Sequence, residues 1–292
     1  MASTNLQFSE FNLIRFDESY LRNGAFLMAE SASGLIVNRV KEKLAKGEMV
    51  LSMTVRLVRS NEIALIAQTA GFDSLYVDLE HSSFSIEAAS QICVAALAQG
   101  ITPFVRVPSC APEFVTRVLD GGALGVIAPH IESPEDAAAV VHAAKYPPLG
   151  TRSYTGGLPH VGFRSVPTQS LFSAMNDATM VVVMIETAEA LENVDAIAAV
   201  EGVDMLFVGT NDLCASLGIA GQLQHERVKD AYSRCLAACK KYGKQLGVGG
   251  LSNNPEFVRE LAELGARYVS TGTDLSFLMS AAAEKVKCLR GL

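Results

Sequence analysis

Eight short apolar runs alternate with amphipathic stretches along 292 residues, 49% of them hydrophobic, and predict an α/β protein: a (β/α)8 TIM barrel with an N-terminal helical extension. Three observations carry this. The apolar runs are bounded by turns and rich in Val, Ile, Leu and Phe, as strands buried on both faces are. The stretches between them space their apolar residues at a helical period. The two kinds alternate throughout, whereas an open doubly wound sheet of this length is expected to use fewer strands and a Gly-rich first turn.

Taken in order, residues 1–20 read as an arm, and 21–46 carry a helical period that places a helix ahead of the barrel, to cap its bottom or to meet another subunit. The division expected is 1–46 for arm and helix and 47–292 for one catalytic barrel. Strands are expected at 49–55, 74–79, 102–107, 124–128, 180–186, 205–209, 245–249 and 267–271. Helices are expected at 61–70, 86–99, 111–119, 134–144, 189–199, 226–241 and 254–264. Residues 150–178 show weak periodicity and are longer than an ordinary connection, which reads as a lid, a binding loop or a subunit contact.

Composition excludes several classes of function. Lys+Arg 24 against Asp+Glu 31 leave a net charge of −7, which argues against a phosphate-backbone footprint and so against nucleic acid as a partner. The longest apolar runs, such as 181–185, fall far short of the roughly 20 residues that span a bilayer. The N-terminus lacks a basic flank and apolar segment, which points to a cytoplasmic enzyme without a targeting peptide. Six cysteines scattered through helix-like and strand-edge positions read as reduced thiols. Cys235 and Cys239 with His225 lack a convincing fourth zinc ligand and read as part of an amphipathic helix.

Barrel chemistry sits at the C-terminal ends of the strands, and polar residues collect there. Glu186 and Asp212 end adjacent strands and offer hard oxygen ligands suited to Mg²⁺, Mn²⁺ or Co²⁺ with positions left for water and substrate. Asp78 and Glu80 share one face of the second strand and His81 follows, so that Asp78 is placed to orient His81 as a general base. Arg106 carries a permanently charged fork for a carboxylate or a developing enolate. His130 stands near the end of the fourth strand, where a substrate contact and a plain loop hydrogen bond are equal readings. Any one of these residues could be a cap or a turn former; together at one rim they point to an active site. The Gly-rich turns at 247–250 and 270–274 fit either phosphate binding or tight corners.

Several blocks, in this order and on these strands, resemble the HpcH/HpaI aldolase/citrate lyase family of metal-dependent class II pyruvate aldolases. They are GFDSLYVDLEH at 71–81, FVRVP at 104–108, VLDGGA at 118–123, YPPLGTR at 146–152, MIET at 184–187 and VDMLFVGTNDL at 203–213. The resemblance implies that Glu186 and Asp212 bind the metal, which pyruvate or its enolate chelates. It implies that the Gly209, Thr210 and Asn211 turn holds the substrate carboxylate through backbone N–H groups. Arg106 then stabilises the enolate, and His81 with Asp78 transfers the proton. Asp120 matches an aspartate that can reach a neighbouring subunit's site, and homo-oligomers, hexamers or trimers, are implied. Met184 replaces a common Gln, and His130 replaces an apolar residue, as in the macrophomate-synthase-like branch.

The activity implied is aldol cleavage and condensation of 4-hydroxy-2-oxo acids through a metal-bound pyruvate enolate, with an aldehyde or other electrophile as second substrate and oxaloacetate decarboxylation as a companion. Three rivals share the fold: a macrophomate-synthase-like decarboxylase and enolate-addition enzyme, a CoA-ester lyase, and a catalytically silent barrel.

Overall fold

The structure, a computed structural model, describes residues 34–291. Its strands are Val50–Val55 (β1), Ser74–Asp78 (β2), Thr102–Arg106 (β3), Gly125–Ala128 (β4), Met180–Ile185 (β5), Met205–Gly209 (β6), Gln245–Gly249 (β7) and Tyr268–Thr273 (β8). They run parallel in chain order and close into one barrel, β8 pairing with β1. Before the barrel comes Arg39–Ala45 (α1); between strands lie Glu62–Ala70 (α2), Ile86–Gln99 (α3), Pro112–Asp120 (α4), Pro134–Ala144 (α5), Thr168–Ala178 (α6), Ala188–Glu192 (α7), Val194–Ala199 (α8), Thr210–Ser216 (α9), Glu226–Tyr242 (α10) and Pro255–Leu264 (α11). Asp274–Arg290 (α12) follows β8. Among the described residues no helix is long and apolar enough to cross a membrane.

Local chemistry sets the boundaries. Ser85, Ser133 and Thr187 cap α3, α5 and α7 by accepting a backbone N–H from the first turn. The period-2 alternation of each strand then divides the core in two. Outward residues such as Leu75, Val77, Val105, Val181 and Leu206 pack under the helices. Inward residues, Tyr76, Phe104, Ile127, Val182, Met205, Phe207 and Tyr268 among them, fill the barrel interior. A Cβ on Gly247 or Gly249 would lie 2.5 or 2.7 Å from the Phe207 ring, so the β7 glycines make room for that ring.

The structure corrects four expectations. Of the helix expected over 21–46, residues 21–33 lie outside the described residues, as does the arm at 1–20, and the described part becomes helical only at Arg39. Asn38 caps α1 and donates to the carbonyls of Leu124 (3.3 Å) and Ala178 (2.7 Å), so Val40 and Leu44 plug the barrel bottom. The loop expected at 150–178 contains α6, whose Leu171, Ala174, Met175 and Ala178 bury one stripe; polar residues between them hid the period. The helix expected at 189–199 is α7 and α8, broken at Asn193, whose side chain donates to the Glu132 carbonyl at 2.7 Å. Strands β2, β3 and β5 each stop one residue earlier than expected.

Candidate active site

Strand parity builds the site. Tyr76, Phe104, Met184 and Phe207 face the barrel interior, and two residues further along the same faces stand Asp78, Arg106, Glu186 and Gly209. The register pairs Asp78 with Arg106 across β2 and β3. Their side chains meet as a two-pronged ion pair, Arg106 Nε to Asp78 Oδ1 at 2.9 Å and Nη2 to Oδ2 at 2.7 Å. Burial pushes the Asp78 carboxyl up, but the Arg106 fork, the His81 backbone N–H and Arg56 outweigh it, leaving Asp78 below the usual carboxylate range. Arg106 Nη1 also lies 2.9 Å from Glu80 Oε2.

Glu186 lies just beyond β5, 3% exposed. Its Oε1 accepts the His130 backbone N–H at 2.7 Å, and the His130 ring bridges the two acids, Nε2 2.8 Å from Glu80 Oε1 and Nδ1 3.3 Å from Glu186 Oε1. His130 holds a φ of 55, a left-handed conformation uncommon outside glycine. Burial, and then the negative charges of Glu80 and Asp212 against the lowering by His130, raise the Glu186 pKa. A Cβ on Gly209 would stand 2.9 Å from Glu186 Oε2, so the glycine leaves space beside that oxygen.

A cavity of about 370 Å³ opens at this rim, lined by Asp78, His81, Arg106, Thr210, Asn211 and Asp212 with residues from the ends of β1, β7 and β8. The Thr210 hydroxyl is engaged within the fold, 2.6 Å from the Gly249 carbonyl and 2.7 Å from the Tyr232 hydroxyl. Asn211 is exposed beside it.

One expected pairing is not seen. Asp78 does not reach the His81 ring; it accepts the backbone N–H groups of Glu80 (3.1 Å) and His81 (3.2 Å) while its fork is held by Arg106. The half-exposed His81 ring instead lies with Nε2 3.8 Å from Glu80 Oε2. Asp120 ends α4, which returns from the rim to the opposite end of the barrel, and its carboxylate pairs with the buried Arg152 at 2.6 Å. Sequence reading also passed over Arg56, which follows β1 directly and enters the cavity with Asn253, Asn254 and Ser270. The signal was present, since Arg56 continues the inward parity of Val50, Ser52 and Thr54.

Glu186 and Asp212 fit a hard divalent cation. Glu186 is crowded by two other acids, the Gly209 cradle leaves its Oε2 open, and no side-chain partner of Asp212 is found among the described residues. Two carboxylates would leave positions to water and substrate, as Mg²⁺ prefers. At the alternative set, Cys239 Sγ donates to the Gln245 carbonyl at 3.2 Å and His225 caps α10.

Fold and site together define a parallel (β/α)8 barrel with a charged cavity at the C-terminal rim of its strands. The chain belongs to the HpcH/HpaI aldolase/citrate lyase family, whose model matches residues 55–281, and it is a carbon–carbon lyase of the aldolase kind. It is 43% identical to the 4-hydroxy-4-methyl-2-oxoglutarate aldolase of Hapsidospora irregularis over 254 residues, 85% of this chain and 93% of the relative. The crystal structure of an HpcH/HpaI aldolase from Desulfitobacterium hafniense DCB-2 superposes with a TM-score of 0.82 at 31% identity, over 87% of this chain and 97% of the other. Macrophomate synthase shares the fold at a TM-score of 0.73 and 23% identity, over 91% of this chain and 96% of its own.

Proposed function

We propose that this protein cleaves 4-hydroxy-2-oxo acids between C3 and C4 to release pyruvate, and runs the condensation in reverse. The observation that carries the reading is the buried Glu186, close enough to Asp212 to feel its charge, at the end of the barrel where Asp212 and Arg106 line a cavity and where these enzymes place their chemistry. The 4-hydroxy-4-methyl-2-oxoglutarate activity named for the Hapsidospora relative makes that acid the first substrate to try.

A divalent cation, Mg²⁺, Mn²⁺ or Co²⁺, held by Glu186 and Asp212 would supply Lewis acidity at the 2-oxo group. The turn of Gly209, Thr210 and Asn211 is assigned to the substrate carboxylate. His81, whose ring opens on the cavity, takes the proton of the C4 hydroxyl; the C3–C4 electron pair moves into the enolate and C4 becomes a carbonyl. Arg106 stays cationic, since its acid partners outweigh burial and raise its pKa, and it faces the enolate charge. Proton return to C3 completes pyruvate. Asp78 and Glu80 fix the Arg106 fork, and His130 positions Glu186 and borders the second substrate. Oxaloacetate would lose its C4 carboxylate as CO₂ to the same enolate without a base.

A homo-oligomer, hexamer or trimer, belongs to the same reading. Only Asp274 of α12 is buried, while Leu275, Leu278, Met279 and Leu289 are exposed on it, an apolar surface suited to a second copy. Asp120 acting across that boundary is part of the proposal, as is a cytoplasmic setting. The test is pyruvate release by purified protein from 4-hydroxy-4-methyl-2-oxoglutarate, other 4-hydroxy-2-oxo acids and oxaloacetate. Release from the hydroxy acids is expected; release from oxaloacetate alone would instead select the decarboxylase and enolate-addition reading.

A further inference from the structure

We propose that Arg56 reads a second, distal carboxylate on the substrate, so that the enzyme prefers dianionic 4-hydroxy-2-oxo acids over monoanionic ones; this rests on the aldolase reading above. Two arginines enter the cavity, Arg56 and Arg106, and they are not equivalent. Arg106 is engaged by carboxylates, with Nε and Nη2 hydrogen-bonded to Asp78 and Nη1 2.9 Å from Glu80. Arg56 is tied mainly to one neutral oxygen, its Nε and Nη2 donating to the His81 carbonyl at 3.2 and 2.7 Å. The acid nearest to it, Asp78 at 3.4 Å, is already forked by Arg106, and Arg56 Nη1 has no hydrogen-bond partner among the described residues.

The fold holds Arg56 in place. The buried Asp274 carboxylate accepts the backbone N–H groups of Arg56 (3.0 Å), Leu57 (2.9 Å) and Val58 (2.7 Å), which pins the turn after β1 to the start of α12. From β7, β8 and the turns after them the cavity is lined by the neutral Asn253, Asn254, Ser270 and Thr273, and the acid that directly follows β8, Asp274, is buried and taken up by the three backbone N–H groups. A guanidinium with an open edge on a fixed backbone is suited to bind a carboxylate. On cleavage that carboxylate leaves with the carbonyl fragment: C3–C4 breaks, the C4 hydroxyl oxygen becomes the carbonyl, and the distal carboxylate stays on Arg56 unchanged. From 4-hydroxy-4-methyl-2-oxoglutarate both products are pyruvate.

The test compares kcat/KM for 4-hydroxy-4-methyl-2-oxoglutarate with that for 4-hydroxy-4-methyl-2-oxopentanoate, which carries a methyl in place of the distal carboxylate. In Arg56→Gln the ratio of diacid to monoacid should fall about 30-fold, the scale of one charged hydrogen bond, with Arg56→Lys between it and the parent protein. A ratio unchanged in Arg56→Gln, with both substrates falling together, overturns the proposal and leaves Arg56 a prop for the His81 turn. Deuterium exchange at C3 of pyruvate uses no distal carboxylate and tests the underlying reading separately. Exchange by the parent protein with an unchanged ratio refutes only the role of Arg56; neither exchange nor pyruvate release refutes the aldolase reading and this inference with it.

Discussion

Single residues at the barrel mouth are placed by parity, and parity is visible in sequence. Asp78, Arg106 and Glu186 could be read from their strands because each continues an inward-facing row, whereas the left-handed backbone of His130 and the partner of Asp120 depend on contacts remote in the chain. Gly209 shows how narrow the tolerance is. Gly209→Ala would put a methyl 2.9 Å from Glu186 Oε2 and 3.0 Å from the Met184 terminal carbon. Divalent-metal affinity, measured by isothermal titration, should fall about tenfold, the usual cost of disturbing what orients a ligand, with the far-UV spectrum unchanged. Unaltered affinity would show that Glu186 has room to spare. His81→Ala should slow cleavage of hydroxy acids more than decarboxylation of oxaloacetate, because only the first needs the base; equal losses in the two assays would remove His81 from that role.

At the scale of elements, the eight strands were legible because a buried parallel strand is apolar throughout and ends at a turn. Helix α6 was not, since its buried stripe of Leu171, Ala174, Met175 and Ala178 is diluted by Thr168, Gln169, Ser173 and Asn176. The clamp between the β1 turn and α12 also escaped, because Asp274 lies 218 residues from the N–H of Arg56. Removing that carboxylate leaves three part-buried backbone donors of the turn without their acceptor. Asp274→Ala is therefore expected to cost roughly 3 kcal/mol in urea denaturation, at 1–3 kcal/mol per unsatisfied group after partial rescue by water. A loss below about 0.5 kcal/mol, the range of an ordinary surface change, would mean that water replaces the clamp.

For the whole molecule, closure of the barrel followed from alternation and length, while the exposed apolar face of α12 had no counterpart in the sequence reading, which stopped at the eighth strand. The core also fixes a response to alkali. Burial pushes the thiols of Cys93 and Cys239 up to about 12 and that of Cys110 up to about 11, against an ordinary 9.0, and the Tyr268 phenol, buried first and relieved in part by Ser52 and Ser74, up to about 12. These acids stay protonated in the folded chain while the unfolded chain releases protons above pH 9, so their stabilising contribution is complete below 9.0 and lost as pH rises towards 11–12. Under reducing conditions the urea midpoint should decline through that window, and less steeply in Cys93→Ala; a midpoint level to pH 11 would contradict the core ionisation states.

The central claim is that Glu186 and Asp212 hold the divalent cation on which pyruvate release depends. The measurement is pyruvate release from 4-hydroxy-4-methyl-2-oxoglutarate by EDTA-stripped protein as Mn²⁺ is added back, in the parent chain and in Glu186→Ala and Asp212→Ala. Restored activity in the parent chain alone, with all three proteins folded, is the predicted result. Turnover by either variant at the parental rate, or turnover by the stripped protein without added metal, would contradict it.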